Sequence, residues 1–482
     1  MKNKLENDIK KIKKIFDSDD LITKELVIGN KNAALIFLDG LINKELLEEN
    51  VIRPLKKVNV LSRPYKAKIE SVIYYCEDLV CYDNTEELIE SIASGDIGFL
   101  ISGAESYFML SIKKYNMRSV DEPPTETVLK GPREGFVEDF KTNLTLLRRR
   151  IKNPMLKIKF QKVGKYSKTP VAVIYIEGIA KKSMVDKITK KINEINIDGI
   201  IESTYVEKYI EDRKFSFFNQ VGHDEKPDIV ASKLLEGRIA ILVDGSPIIL
   251  TVPYIMFEAF QDSYDYYTRA ARSTMLRSLR IISAFITVLL PALYVADLQF
   301  HYQLLPIKFL MTIMKSVAGI PFSAPVEVFF ILILFEILYQ ASIRMPRYVG
   351  ISLSVVGAIV LGDTAVSAGL ISPPAVLVIA ISAIGINCVP DYVDTFSLLR
   401  AIFLFIGSIL GLYGIMLGFI AMITYLCAMQ NYGAPYMAPH APMIPSDLKD
   451  GIFKSNLTNM KTRPKSIPHN NNVRMKIGGK QK

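Results

Sequence analysis

The sequence is short of the residues and motifs on which most enzymes depend. It has only four histidines, His223, His301, His440 and His469, and no spacing among them matches a catalytic pair. It contains no phosphate-binding P-loop, no dinucleotide-binding GxGxxG, no HExxH zinc motif and no GxSxG nucleophile turn. Because catalysis needs activated groups that converge in a pocket, we predict a protein with no catalytic residues, no bound metal and no cofactor.

Cysteine is scarce as well. The four cysteines are Cys76, Cys81, Cys388 and Cys427. Their spacing fits neither a zinc site nor a redox motif, so we predict buried free thiols in a reducing compartment. The polar start, Met1-Lys-Asn-Lys, lacks the apolar core of a cleavable signal peptide. We therefore expect the first 280 or so residues to stay in the cytosol.

The positive charge is concentrated at the C-terminal end. The net charge is +10, and residues 430–482 hold nine Lys and Arg against two Asp and Glu. A basic tail next to a membrane segment is typical of the cytoplasmic side, where it is attracted to anionic lipid. No aromatic residues alternate with these charges, so nucleic-acid binding is not predicted. The composition indicates disorder over the last twenty-five or so residues.

A long apolar block occupies residues 281–429. Apolar runs of roughly 18 or more residues are candidate membrane helices. The runs are 281–296, 326–339, 349–368, 375–389 and 401–429, and residues 309–317 read as an amphipathic interfacial helix. Four arginines before the first run place the N-terminal region inside. Because the last run is too long for one span, it is split near residues 411–414 or one segment is re-entrant, giving four to six membrane elements.

The first 268 residues alternate between strand-like and helix-like segments, which is typical of an α/β fold. We predict an α/β cytosolic region of two subdomains followed by an α-helical multi-pass membrane domain. The boundaries are 1–152 and 153–268 for the subdomains, 269–429 for the membrane domain and 430–482 for the tail.

Shorter patterns predict individual elements in this region. Asp244-Gly245 between two apolar runs is a strong hairpin signal, because tight hairpin turns need residues with positive φ. We also predict a strand over residues 71–76 and a long helix that follows Pro123-Pro124 and continues to about residue 151.

Two carboxylates lie deep in the apolar runs. Glu336 is late in one helix, and Asp363 is in a segment of small residues from Gly362 to Gly369. Carboxylates at such depth are costly and usually face a bundle interior or a water path. We predict an ion or proton path at Asp363, Val366, Ser367, Ala368 and Glu336. The alternative is that both carboxylates are hydrogen-bonded structural groups, whereas Glu327 and Asp297 near segment ends are interfacial and Asp391 and Asp394 lie in a loop.

A run of three arginines, Arg148, Arg149 and Arg150, ends the predicted long helix. Together with Glu122 these residues are candidates for subunit or ligand contacts, because arginines can clamp a phosphate or a carboxylate. The alternatives are a solvated helix end or an ion-pair site between domains.

Several segments, taken together, resemble one known family. They are Glu122-Pro-Pro-Thr-Glu126, Gly131-Pro-Arg-Glu-Gly135, Arg148-Arg-Arg-Ile151, Asp265-Tyr-Tyr267, Arg344-Met-Pro346, residues 362–373, Tyr432-Gly-Ala-Pro435 and Asp447-Leu-Lys-Asp450. The chain resembles, over about residues 90–455, the A subunit of the GerA-type nutrient germinant receptors of endospore-forming bacteria. Lys130, where the family commonly has Arg, and Tyr264, where an acidic residue is usual, depart from its pattern.

The resemblance implies a non-enzymatic receptor subunit in the inner membrane of the spore. Its implied partners are a transporter-like B subunit that resembles the nutrient-binding component and a lipoprotein C subunit. It also implies a homo-oligomer, a pentamer by family resemblance, that works as a nutrient-gated channel for monovalent cations and triggers germination.

Two other function classes compete with the channel. The first is a secondary transporter subunit that moves a small nutrient coupled to ions through Glu336 and Asp363. Transporters usually show internal repeats, and this sequence has none that we detect. The second is a membrane-anchored scaffold with no conduction pathway at all.

Overall fold

The computed structural model describes residues 2–74, 79–113, 126, 130–344 and 362–475. Within these residues the chain forms two five-stranded antiparallel sheets, followed by long apolar helices. This arrangement confirms the predicted class of two sheet-containing units followed by a helical membrane domain.

The first sheet has the strand order β1-β2-β4-β5-β3. The strands are β1 Leu21–Ile28, β2 Lys31–Leu38, β3 Val80–Tyr82, β4 Ile97–Ile101 and β5 Tyr107–Leu110. Its helices are α1 Lys2–Phe16, α2 Lys44–Leu46, α3 Arg53–Lys56, α4 Tyr65–Glu70 and α5 Thr85–Ala93, and a π-helical segment, Leu47–Ile52, joins α2 to α3.

Both faces of this sheet are covered, which explains why β2 is an unbroken apolar run. Successive side chains of a strand point to opposite faces. Leu35 and Phe37 pack against the region of α2 to α4, whereas Ala34 and Ile36 pack against α1 and α5.

The second sheet has the order β6-β7-β9-β10-β8. Its strands are β6 Leu156–Val163, β7 Thr169–Ile176, β8 Gly222–Asp224, β9 Ile239–Val243 and β10 Ile249–Val252, and its helices are α6 Phe140–Arg150, α7 Lys182–Asn193, α8 Ser203–Ile210 and α9 Pro227–Glu236. Helices α7 and α8 cover one face, and α6 and α9 cover the other. The predicted hairpin is confirmed, because β9 and β10 pair with Ile241 opposite Leu250 and Gly245 has φ of +82°.

Three local predictions were wrong. Residues 71–74, expected to begin a strand, form turns after α4, and the strand in this region is β3. The helix expected to lead to residue 151 is only α6, which begins where the Asp139 side chain accepts a hydrogen bond from Thr142 N. Cys81, Cys388 and Cys427 are free, as predicted, but they are exposed rather than buried, and Cys76 lies outside the described residues.

The membrane region begins after a short helix, α10 Ser263–Tyr267. It contains α11 Ala270–Gln299, α12 Ile307–Val317, α13 Ala324–Arg344, α14 Pro373–Ile386 and α15 Val393–Ala428. Among the described residues three helical stretches are long and apolar enough to cross a membrane, namely α11, α13 and the stretch that contains α15, and α14 is a shorter apolar helix. Helix α12 matches the predicted amphipathic helix, and Ile313 is its buried residue.

Helix α15 is in fact a hairpin of two helices. Gly411 has non-helical backbone angles, φ 59° and ψ −150°. Beyond it the chain folds back, because Gly414 and Gly418 face Ile406 and Phe403. The halves, residues 393–410 and 412–428, are each about 25–27 Å long at 1.5 Å per residue. The break lies where the length of the last apolar run predicted it.

Both ends of this hairpin lie beside the second sheet unit. Thr395 Oγ1 donates to Phe217 O near the start of α15, and Arg213 Nη2 donates to Ala428 O at its end. The turn at Gly411 lies instead beside Phe300 and His301, which follow the far end of α11. One side of the helical region therefore carries the sheet units, and the other carries the turn.

The C-terminal tail packs back onto the rest of the chain. Disorder was expected over the last twenty-five or so residues, but Ile467 and Ser466 are buried. Asn470 N donates to Ile179 O, and Arg463 Nε donates to Leu235 O. The tail has almost no regular secondary structure, and individual hydrogen bonds from its backbone and side chains hold it in place.

Candidate functional site

Residues 362–367 form a short helix that leads to the start of α14. Asp363, Ser367 and Ala368 lie on its exposed side. Val366, by contrast, is partly buried and packs against a cluster that includes Val295, Ile379 and Leu404. Four of the five predicted path residues therefore lie in one segment: Asp363, Ser367 and Ala368 form an exposed stripe, and Val366 faces inward beside it. The fifth, Glu336, lies on α13.

Asp363 is the unusual member of this stripe. It is an exposed carboxylate on a short helix that packs among the apolar helices through Ala365 and Val366. Within the described parts of the chain, its carboxylate makes no hydrogen bond or ion pair. The expectation that Asp363 is a structural, hydrogen-bonded group therefore has no support from these contacts.

Glu336 takes part in a polar network that joins helices. Ser397 Oγ donates to Glu336 Oε2 at 3.0 Å, and Arg400 Nη2 lies 3.6 Å from the same oxygen. Arg400, which is only 3% exposed, also donates to Ser382 Oγ at 3.3 Å. Ser382 Oγ in turn donates to the carbonyl of Thr287 at 2.7 Å.

This network connects α11, α13, α14 and α15 through one buried cation. The sequence reasoning missed Arg400, although a lone arginine directly before the last apolar run was a usable signal. Charged groups at this depth usually pair with one another, and Glu336 has its partner on α15 rather than near Asp363.

Glu327, in the first turn of α13, is fully buried. Its carboxylate accepts a hydrogen bond from the backbone N–H of Ser372, the residue that caps α14. A helix N-terminus has N–H groups without intrahelical partners and favours negative charge. Glu327 on α13 therefore fixes the start of α14, directly after the exposed stripe at Asp363 to Ala368.

The turn between α14 and α15 docks on the second sheet unit. Tyr254 Oη donates to Asp391 Oδ2 at 3.0 Å, and Asn219 Nδ2 donates to Asp391 O at 2.7 Å. Tyr392, next to it, shares a hydrogen bond of 2.9 Å with Tyr436 of the tail. The second sheet unit is therefore in direct contact with the turn that joins the end of α14 to the start of α15.

Titratable groups on α8 and β8 lie on the sheet side of this junction. His223 Nε2 is 3.0 Å from Glu207 Oε2. Burial acts to lower the pKa of His223, but the hydrogen bond and the charge of Glu207 outweigh burial and raise it. Burial and the charge of Glu207 raise the pKa of Glu211 to about 7.

A second junction ties the start of α11 to the tail. Asp265, fully buried, accepts from Arg277 Nε at 3.1 Å and from Arg280 Nη1 at 2.8 Å. Arg277 Nη1 also donates to Asp450 Oδ1 at 3.0 Å. Two of the segments that carry the family resemblance, residues 265–267 and 447–450, therefore meet in space.

The three arginines of α6 have different environments. Arg148 is 1% exposed and makes a bidentate pair with Asp20, with both N···O distances at 2.8 Å. Arg149 and Arg150 lie 3.4 Å and 3.0 Å from the Glu134 carboxylate. Arg148 is an ion-pair group between the two sheet units, inaccessible to a ligand, and Glu122 lies outside the described residues.

Comparisons with known proteins identify a family. The model of the family described as "Bacillus/Clostridium GerA spore germination protein" matches residues 7–466. Spore germination protein KA of Bacillus subtilis (strain 168) is 35% identical over 470 residues, covering 96% of this chain and 86% of the relative. Spore germination protein A1 of the same organism is 34% identical over 462 residues, covering 95% and 94%.

One solved structure is also similar, the N-terminal domain of the A subunit of the Bacillus megaterium spore germinant receptor GerK3. It is 31% identical, with a TM-score of 0.41, and the match covers 52% of this chain and 94% of that structure. The family match extends over nearly the whole chain, through both sheet units, the membrane helices and most of the tail. The chain belongs to the GerA family of spore germination proteins.

Proposed function

We propose that this chain is the A subunit of a nutrient germinant receptor and that several copies form a nutrient-gated channel for monovalent cations. In this proposal residues 1–152 and 153–268 are cytosolic subdomains, residues 269–429 span the inner membrane of the spore, and residues 430–482 are a cytoplasmic tail. The role is non-catalytic. A transporter-like B subunit and a lipoprotein C subunit are the proposed partners.

The observation that carries the proposal is that the carboxylate of Asp363 is exposed on a short helix that packs among the apolar helices. A charged side chain facing lipid at the centre of a helix costs about 2.5–3.5 kcal/mol on insertion scales. A second copy of the chain, or water held between copies, removes this cost. Because homo-oligomers usually close around a symmetry axis, copies that share this face would surround a polar path lined by Asp363, Ser367 and Ala368.

Gating follows from the position of this stripe. Glu327 fixes the start of α14 just after it, and the far end of α14 leads to Asp391, which docks on the sheet unit. A nutrient that binds the open assembly more tightly than the closed one would shift the population toward the open state. The sheet unit and α14 would transmit this change of conformation to the exposed stripe. Val366, which faces inward beside the stripe, would move as well.

The test is potassium flux from liposomes that hold this chain with its co-expressed membrane partners, with and without candidate amino acids. Ala368→Phe and Ser367→Phe should block nutrient-dependent flux, and Asp363→Asn should change ion selectivity or gating. Ile420→Phe is the matched control, because Ile420 is exposed on the second half of α15, away from the stripe. Flux that is unchanged in all three stripe variants of an intact complex would reject this path. Nutrient accumulation in the vesicles would favour a transporter instead.

A further inference from the structure

The segment from Glu211 to Gln220, between α8 and β8, is held firmly against the end of the membrane region. Phe218, at its centre, is 3% exposed. Its ring lies among three tyrosine rings, with centroid distances of 6.0 Å to Tyr392, 6.4 Å to Tyr425 and 6.5 Å to Tyr436. These three tyrosines come from the α14–α15 turn, the end of α15 and the tail, so Phe218 is an anchor shared by all three.

Hydrogen bonds attach the neighbours of Phe218 to both ends of the α15 hairpin. Phe217 O accepts from Thr395 Oγ1 at 2.5 Å, and Ser216 Oγ accepts from Tyr425 Oη at 3.3 Å. Arg213 Nη2 donates to Ala428 O at 2.8 Å. The segment is thereby held at the level of the last turn of α15.

Two large apolar side chains project outward from this fixed segment. Phe215 is 96% exposed and Phe217 is 56% exposed. Lys214, beside them, is exposed as well. Two exposed phenylalanines so close together, on a segment that hydrogen bonds hold in place, are typical of a surface that contacts an apolar partner.

The length of the second half of α15 gives the depth of these side chains. Residues 412–428 extend about 25 Å, whereas the hydrocarbon core of a bilayer is about 30 Å thick. A helix this short spans only if its end, Ala428, lies at the inner edge of the hydrocarbon. Since Ser216 is bonded one turn before that end, Phe215 and Phe217 lie at the same edge.

We propose that Phe215 and Phe217 insert into the inner leaflet of the bilayer and that Lys214 contacts anionic headgroups beside them. Exposed phenylalanines beside a basic residue are typical of segments that insert into the boundary between headgroups and acyl chains, and basic side chains next to the cytoplasmic leaflet are attracted to its anionic lipids. The segment then anchors the second sheet unit to the membrane next to both ends of the α15 hairpin. This inference requires that the helices span a bilayer, but it does not require that the chain conducts ions.

The chain has no tryptophan, so a single substitution gives a site-specific fluorescent probe. Phe215→Trp and, separately, Phe217→Trp would be made in the full chain and reconstituted in liposomes of phosphatidylcholine and phosphatidylglycerol. A second set of liposomes carries lipids brominated close to the acyl-chain carbonyls. Tyr74→Trp is the control, because Tyr74 is 84% exposed on the first sheet unit.

The expected result is blue-shifted emission at position 215, most of which is lost in the brominated liposomes. The emission of the Tyr74→Trp control should stay red-shifted and should not change with bromination. Blue-shifted emission that brominated lipid does not quench would mean that a second copy of the chain covers the site, and it would overturn the proposal. Red-shifted, unquenched emission from both test positions would mean that they face water, and it would overturn the proposal as well.

Discussion

Arg277 Nε donates a hydrogen bond to the carboxylate of Asp265 at 3.1 Å, with both side chains almost completely withdrawn from solvent. The two residues are twelve positions apart, on α11 and on the short helix before it. Arg280 adds a second guanidinium to Asp265, and Asp450 of the tail adds a second carboxylate to Arg277. The first membrane helix therefore starts in a network in which each charge has an opposite partner.

We predict that Asp265→Asn strongly destabilises the chain. Removal of one partner of a buried ion pair leaves an uncompensated charge, which costs about 3–5 kcal/mol. Thermal unfolding of the purified chain in detergent measures the loss. Asp262→Asn is the control, because its side chain is 46% exposed and 4.0 Å from Arg280, and asparagine still caps α10. Equal losses in the two variants would contradict the network.

Arg148 and Asp20 form a second buried ion pair, which joins the two sheet units. Arg148→Lys should destabilise the chain nearly as much as removal of the charge, because an ammonium cannot reproduce the bidentate geometry. We expect a loss of about 3 kcal/mol or more, and a double-mutant cycle with Asp20→Asn should show coupling between the two positions. Arg149→Ala, at a partly exposed position, should cost about 1 kcal/mol or less. Additive effects of the Arg148 and Asp20 variants would show that the pair is not formed.

The pKa values of His223 and Glu211 predict that the stability of α8 depends on pH. Both pKa values are raised in the folded chain, that of Glu211 to about 7. A raised pKa means that the folded state binds the proton more tightly than the unfolded state. The stabilisation is therefore complete below the unfolded pKa and is lost as pH rises through the folded one.

The local free energy of opening of α8 should thus fall as pH rises from about 5 to about 8. Amide hydrogen exchange of residues 203–210 in the full chain measures it. Glu211→Gln should remove the part of the change that occurs below about pH 7, on the order of 1 kcal/mol once the partial exposure of Glu211 is allowed for. An unchanged pH profile in Glu211→Gln would contradict this assignment.

Local sequence patterns predicted the features of this fold that depend on local physics. The apolar run of β2 is buried on both faces, the Asp244-Gly245 turn joins β9 to β10, and the last apolar run breaks at Gly411. Each of these follows from strand alternation, turn geometry or the thickness of a bilayer. The strand order in each sheet did not follow, because β3 and β8 reach the sheet edges through pairings that are distant in sequence.

The polar contacts of the candidate site likewise depend on groups that are distant in sequence. The partner of Glu327 is a backbone N–H of Ser372. Because every residue except proline has such a group, no sequence pattern marks this contact. Glu336 inside one apolar run and Arg400 directly before another are both visible in the sequence as charges, but their pairing depends on how α13 packs against α15. The composition of the tail predicted disorder. In the structure the tail is held by individual side chains, such as Arg463 and Asn470, and such contacts do not produce a periodic pattern in the sequence.

The turn at Gly411 gives a last prediction, on the stability of the membrane hairpin. A Cβ at this position would lie 2.9 Å from His301 Cε1 and 3.0 Å from Phe300 Cδ2, in a backbone conformation with φ of +59°. Gly411→Ala therefore combines backbone strain with a clash at the end of α11. Gly319 has φ of +96°, and a Cβ at this position would have nothing within 4 Å. Gly319→Ala therefore measures the cost of backbone strain without a clash.

Strain from positive φ costs a non-glycine residue roughly 1–2 kcal/mol. We expect Gly319→Ala to lower the thermal unfolding temperature of the full chain in detergent only slightly, and Gly411→Ala to lower it clearly more. Gly411→Ala should also raise the protease sensitivity of the α15 turn, because Phe300 and His301 must move away from it. If both variants lose the same stability, the close approach of α11 to the turn is absent, and the two halves of α15 would then be held by their own packing alone.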